Sequence, residues 1–95
     1  MRGIVESPQV QDAVDDAEAK WARFQQAWDA ITWVLSRDPT VGVPLTEGGN
    51  VRSFVYVGSY AHEMPTIDLV YEITTSSVIL QEVRFRDAGS TSGRA

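Results

Sequence analysis

The chain has 95 residues, of which 43% are hydrophobic and 22% are charged, so its composition is that of one small globular domain. It has no cysteine and one histidine, which excludes disulfide bonds and thiolate metal sites, and we expect no metal or cofactor. The formal net charge of −5 opposes general binding to nucleic acid, because phosphate contacts require a basic surface. The first residues lack the apolar core of a signal peptide, and no apolar run approaches the roughly 20 residues of a membrane span. We therefore expect a cytoplasmic protein with no membrane partner.

The first half of the chain predicts an edge strand followed by two helices. Ile4 and Val5 favour a short strand, and Ser7-Pro8 is typical of a helix start, with a side-chain cap before a proline. Apolar residues then recur at steps of three and four, which marks one face of a helix. They are Val10, Ala13, Val14, Ala17, Trp21, Phe24, Trp28, Ile31 and Leu35. One straight helix over this span would be roughly 40 Å long and would overhang so small a domain. We therefore expect a break within 19–22 and a helical hairpin.

The second half predicts a loop and three antiparallel strands. Residues 38–50 are rich in proline and glycine and predict a loop, and the strands are expected at 51–57, 66–74 and 78–86. In the last two strands the odd-numbered residues should pack on the helices, and Asp68 should lie opposite Arg84. The small polar residues of 89–95 predict a disordered tail. Residues 1–88 thus form one α+β domain, with two helices on one face of a mainly antiparallel sheet of three to four strands.

Four segments of the chain resemble the RelE/ParE toxin superfamily. The opening IVESP resembles the family's first strand and helix cap, and ITWVLSRDPTVGVPL resembles the end of its second helix. IDLVYEI resembles its central strand, and VILQEVRFRDA resembles its last strand, which ends in basic residues. Members run strand, helix, helix and then three antiparallel strands, so the resemblance implies the same fold over residues 4–88.

The resemblance also implies a place in a bacterial toxin–antitoxin system, with a cognate antitoxin that wraps the sheet and helices. RelE-type members cut messenger RNA in the ribosomal A site without a metal, and ParE-type members inhibit gyrase. Arg86 matches the basic residue at the end of the last strand, Arg52 lies among the basic positions of the first long strand, and Arg84 shares a face with Arg86. Asp68 stands where the central strand of the family has an arginine, and the chain after residue 87 lacks the Tyr or His of some members.

The resemblance leaves two functions open. The first is a metal-independent, ribosome-dependent mRNA endoribonuclease with Arg52, Arg84 and Arg86 as catalytic cations, in which the RNA 2′-hydroxyl attacks the neighbouring phosphate. The alternative is a non-catalytic protein-interaction module on the same fold, either a gyrase inhibitor or an inactive divergent member. In that case Arg84 and Arg86 belong to a solvated strand face and pair with Asp68 or Glu72. The acidic net charge favours the alternative.

Two aromatic residues are candidates for partner binding. Trp33 lies off the apolar stripe, so it either anchors a contact with a partner or with a second copy of the chain in a homodimer, or lies under the 38–50 loop. We assign Phe54 and Tyr56 opposite orientations, and choose Tyr56 as the aromatic residue that faces away from the helices. His62 is either a general acid–base group or a solvated loop residue.

Overall fold

The computed structural model describes residues 3–58 and 64–86, which form one mixed α+β unit. Neither helix in this part of the chain is long and apolar enough to cross a membrane. The elements in chain order are β1 (Gly3–Glu6), α1 (Pro8–Lys20), α2 (Phe24–Arg37), a turn of 3-10 helix (Pro39–Val41), β2 (Val43–Pro44), β3 (Val51–Tyr56), β4 (Thr66–Ile73) and β5 (Ser77–Arg86).

The local signals for the two helices are confirmed. The Ser7 hydroxyl accepts a hydrogen bond from the Val10 N–H at 3.3 Å, and Pro8 occupies the first helical position. The predicted break between the helices falls at residues 21–23, where Trp21 takes an extended backbone conformation. Both helices therefore start and stop close to where the sequence places them.

The sheet has five strands in the order β1-β5-β4-β3-β2. The predicted number of three to four strands is wrong, because Val43 and Pro44 of the predicted loop pair with Ser53 and Arg52 as a short edge strand. The sheet is also mixed, since β1 runs parallel to β5 while the other neighbours are antiparallel. After β1 the chain passes through α1 and α2 to the far edge of the sheet, and then returns strand by strand from β2 to β5. β5 therefore comes to lie beside β1, and the two strands run parallel.

The core lies between the helices and one face of the sheet. Its buried members are Val10, Val14, Ala17, Phe24, Ala27, Trp28, Ile31, Leu35, Ile67, Leu69, Tyr71, Val78 and Leu80. At one end Phe24 stacks on Trp28 with ring centroids 5.7 Å apart, and its edge-on contact with Phe85 is 5.3 Å. These aromatic side chains fix the helices above β5.

An extra residue in β5 changes which of its side chains reach the core. Tyr71 pairs with Leu80 but Val70 pairs with Glu82, so Gln81 is an unpaired bulge residue. Before the bulge, even-numbered residues such as Leu80 are buried, and after it Val83 and Phe85 pack against the core. The prediction that odd-numbered residues pack on the helices is thus confirmed in β4 and at the end of β5. It is wrong before the bulge, where Val78 and Leu80 are the buried residues. The predicted pairing of Asp68 with Arg84 is confirmed.

Candidate functional site on the open sheet face

The sheet face that points away from the helices is called here the open face. It is formed by Val51, Ser53 and Val55 of β3, by Asp68, Val70 and Glu72 of β4, and by Glu82, Arg84 and Arg86 of β5. A shallow cleft of about 290 Å³ lies at its centre, between Ser53, Asp68, Glu82 and Arg84. The ladder of charged residues across β4 and β5 makes this face the candidate site.

Arg86 and Asp68 form a bidentate ion pair on the open face. The Nε–Oδ2 distance is 3.0 Å and the Nη2–Oδ1 distance is 3.1 Å, while the two side chains remain 51% and 33% exposed. The two residues are diagonal neighbours in the ladder, because Arg86 lies opposite Thr66. Each carboxylate oxygen of Asp68 therefore receives one guanidinium N–H, and the positive charge of Arg86 is compensated.

Arg84 lies directly opposite Asp68 but makes no ion pair within the described residues. It borders the central cleft, with the Glu82 carboxylate two residues away on the same face. Glu72, further along this face, accepts a hydrogen bond from Gln81 at 3.1 Å. The described part of the open face thus has three carboxylates against two guanidinium groups, so it is not a basic surface.

Arg52 lies on the opposite side of the sheet from Arg84 and Arg86. It stands opposite Tyr71 in the ladder, on the face that packs on the helices. Its Nε donates to the Gly49 carbonyl at 2.7 Å, and its Nη1 donates to the carbonyls of Thr40 and Gly42 at 3.0 and 2.9 Å. The structure therefore brings two of the three predicted arginines together, and it uses the third to hold the 38–50 loop.

Tyr71 holds the same loop from the centre of the sheet. Its hydroxyl donates to the Pro39 carbonyl at 2.5 Å and accepts from the Gly42 N–H at 3.1 Å. Burial raises the pKa of this phenol above its ordinary value of 10.0, while the Gly42 hydrogen bond and the charge of Arg52 act in the opposite direction. The buried tyrosine is therefore a neutral structural donor at physiological pH.

The predicted orientation of Tyr56 is wrong. Phe54 and Tyr56 are two residues apart on β3, so both point to the helix side, and both pack against the core. The Tyr56 hydroxyl approaches the Met64 sulfur at 3.9 Å. Val55, between them, faces away from the helices and is 52% exposed. Partner binding by Tyr56 stays a prediction, but it would have to occur at the edge of the core.

Trp33 lies on α2 off the core face. The sequence left an exposed contact position and a position under the 38–50 loop as alternatives, and the residue is 59% exposed, which favours the first. The guanidinium carbon of Arg37 lies 4.7 Å from the centroid of its ring. It borders a groove of about 700 Å³ between β1 and α2, whose lining includes Ile4, Glu6 and Asp29. No pattern in the sequence indicates this groove, because its shape depends on how the first strand packs beside the second helix.

The described residues contain no cluster of three or more acidic, histidine or cysteine side chains that could hold a metal ion. His62 and the predicted tail at 89–95 lie outside the described residues, so both predictions about them stay open. The sequence matches no protein-family model and no curated protein.

Proposed function

We propose that the chain is a RelE/ParE-like protein of a bacterial toxin–antitoxin system that acts by binding other proteins and does not cut RNA. Its partners would be a cognate antitoxin and a protein target such as gyrase. The observed order of a strand, two helices and antiparallel strands supports the family, since this is the order that the resemblance implies.

The observation that carries the proposal is that two of the three candidate arginines already bind other groups of the chain. Arg52 donates its hydrogen bonds to loop carbonyls, and Arg86 is paired with Asp68 at 3.0 Å. Metal-independent cleavage requires preorganised positive charge at the phosphate where negative charge develops. A carboxylate at that point repels the phosphate and competes for the same guanidinium group. The geometry therefore favours a protein-binding face over a catalytic one.

The ribonuclease alternative is favoured by one observation, the guanidinium group of Arg84 beside the cleft, which makes no ion pair with any other described residue. The neighbouring pair of Arg86 and Asp68 is solvated, and exposed ion pairs contribute only about 0.2–1 kcal/mol. An incoming phosphate could therefore replace Asp68 as the partner of Arg86. In this alternative Arg84 and Arg86 act together, and Arg52 contributes by shaping the loop.

Tightly induced expression in a bacterial host distinguishes the two functions. Wild type would be compared with Arg84→Ala and Arg86→Ala, and with Arg23→Ala as a control that removes an exposed charge outside the open face. Growth arrest by all four proteins, with messenger RNA intact at ribosomes, is the expected result. Arrest that only Arg84→Ala and Arg86→Ala relieve, together with cut messenger RNA, would establish the ribonuclease instead. If the folded wild type causes no arrest, the toxin assignment fails.

A further inference from the structure

β1 is an edge strand of the sheet, and its outer edge pairs with no strand among residues 3–58 and 64–86. The Gly3 N–H donates to the Ser76 carbonyl at 3.1 Å, and the Ser7 N–H donates to the Leu80 carbonyl at 3.2 Å. Because backbone groups alternate along a strand, those of Ile4 and Glu6 point away from β5. The Glu6 carbonyl accepts from the Gln11 side chain, at 3.3 Å. The Ile4 N–H and carbonyl and the Glu6 N–H therefore face outward.

The groove between β1 and α2 lies beside this edge, on the helix side of the sheet. The Glu6 and Asp29 carboxylates and the Trp33 ring line it. One oxygen of Glu6 accepts from the Trp28 indole at 3.0 Å, and one oxygen of Asp29 accepts from Gln25 at 2.7 Å. The second oxygen of each carboxylate has no hydrogen bond within the described residues, so both can receive a cation from a ligand.

The charge of the chain indicates which occupant fits the groove. The exposed residues of α1 include four more carboxylates, which add to the acidic surface of the described chain: Asp12, Asp15, Asp16 and Glu18. The guanidinium carbon of Arg37 lies over the Trp33 ring, 4.7 Å from its centroid. A second copy of the chain would bring another net charge of −5 to this surface. Like charges oppose that contact, whereas a basic segment gains from it.

We propose that the β1 edge and the adjoining groove bind an extended basic segment of a partner protein by strand addition. Main-chain hydrogen bonds form to Ile4 and Glu6. Every second side chain of the segment then enters the groove, where a lysine or arginine meets Glu6 and Asp29 and an apolar side chain packs on Trp33. This inference rests on the proposed function in that it names the surface and the chemistry of the protein partner.

The test uses the purified full chain and a short capped peptide with the repeat Lys-Thr-Val-Thr, whose lysines and valines share one face of a strand. A peptide with the repeat Glu-Thr-Val-Thr is the comparison. Backbone amide shifts in NMR spectra locate the binding site, and a titration gives Kd. We expect shifts at Ile4, at Glu6 and at the Trp33 indole, with binding of the lysine peptide only. Equal binding of both peptides, no binding to the folded protein, or shifts confined to the open face around Val55 would each overturn the proposal.

Variants identify the groups that bind. Asp29→Asn keeps the acceptor for Gln25 and should raise Kd by about threefold, since an exposed charge pair contributes up to about 1 kcal/mol. Trp33→Ala should raise Kd by about tenfold, as expected for an aromatic anchor. Glu47→Gln and Val57→Ala, which change an exposed acid and an exposed apolar residue outside the groove, should leave Kd unchanged. If the control variants weaken binding as much as the groove variants, the assigned site is wrong.

Two further outcomes separate this proposal from others. A dimer in sedimentation that Trp33→Ala converts to monomer would make a second copy the occupant and overturn the proposal. Peptide binding is measured on purified protein, whereas growth arrest is measured in cells. A chain that binds the lysine peptide without arresting growth would therefore support the docking site and refute only the toxin assignment.

Discussion

Removal of the Tyr71 hydroxyl is the sharpest test of how the loop is held on the sheet. In Tyr71→Phe the Pro39 carbonyl loses its donor and the Gly42 N–H loses its acceptor, and both hydrogen bonds are buried. A buried polar group left without a partner costs about 1–3 kcal/mol. Some relaxation of the loop is expected, so we predict a total loss of about 2–4 kcal/mol of unfolding free energy.

This loss is large for a domain of this size. Small domains have unfolding free energies of about 5–15 kcal/mol, so Tyr71→Phe would remove a substantial fraction. For a domain of 60–100 residues each kcal/mol shifts Tm by about 4–8 °C, so Tm should fall by at least ~8 °C. The urea midpoint should fall with little change in the denaturant slope, since the surface exposed on unfolding is nearly the same.

Tyr56→Phe is the matched control. Among the residues that the structure describes, the Tyr56 hydroxyl makes one hydrogen bond, to the Met64 sulfur at 3.9 Å, so its removal should change the unfolding free energy by less than about 0.5 kcal/mol. Urea denaturation followed by tryptophan fluorescence would measure both variants. Equal midpoints for the two variants would refute the assignment of Tyr71 as the buried clamp of the loop.

Three more predictions concern the same sheet. Tyr71 is neutral in both states well below its ordinary pKa of 10.0, so its contribution to stability should be constant there and should fall as the unfolded state ionises near and above that pH. Gly42→Ala should cost about 1–3 kcal/mol in urea denaturation, because the added Cβ would lie 2.5 Å from the Ser53 carbonyl oxygen. Asp68→Asn should change stability by less than about 1 kcal/mol but strengthen heparin binding, since it releases Arg86.

Each of these predictions has a control within the chain. The decline of the urea midpoint from about pH 8 to about pH 11 should be reduced in Tyr71→Phe, and an equal decline would assign it to another group. Gly3→Ala, whose added Cβ would meet no atom within 4 Å, should be neutral beside Gly42→Ala. For Asp68→Asn, the control is Glu18→Gln, which makes the same change of net charge on α1. Equal heparin binding by the two would show that only net charge matters.

The features that the sequence predicted are those set by neighbours along the chain. The Ser7 cap, the break near Trp21 and the inward set of β4 each follow from local spacing. The opposite orientations assigned to Phe54 and Tyr56 are an error of that reasoning, since residues two apart on a strand share a face. The bulge at Gln81 could not be predicted. Residues 78–80 are all apolar, so either the odd or the even positions of this part of β5 could have faced the core.

The features that the sequence did not predict depend on contacts between distant parts of the chain. Arg52 reads as one more basic residue on a strand, but its role depends on three loop carbonyls, up to 12 residues away. The two-residue strand β2 exists because that loop is held beside β3. The groove beside Trp33 likewise forms only where β1 packs beside α2. The residue pattern of one segment does not show which distant segment it will contact, so these features could be seen only in the folded structure.

Asp68 is the residue on which the choice between the two functions depends. It lies on β4 opposite Arg84 and diagonal to Arg86, and it binds Arg86 with both carboxylate oxygens. A phosphate at the cleft would have to displace this carboxylate and also approach Glu82. A protein partner faces no such conflict, since a lysine or a backbone N–H can bind a carboxylate as readily as Arg86 does. The Asp68 carboxylate thus disfavours RNA binding and is compatible with peptide binding. Its neutralisation in Asp68→Asn is therefore the change that should strengthen polyanion binding at the open face.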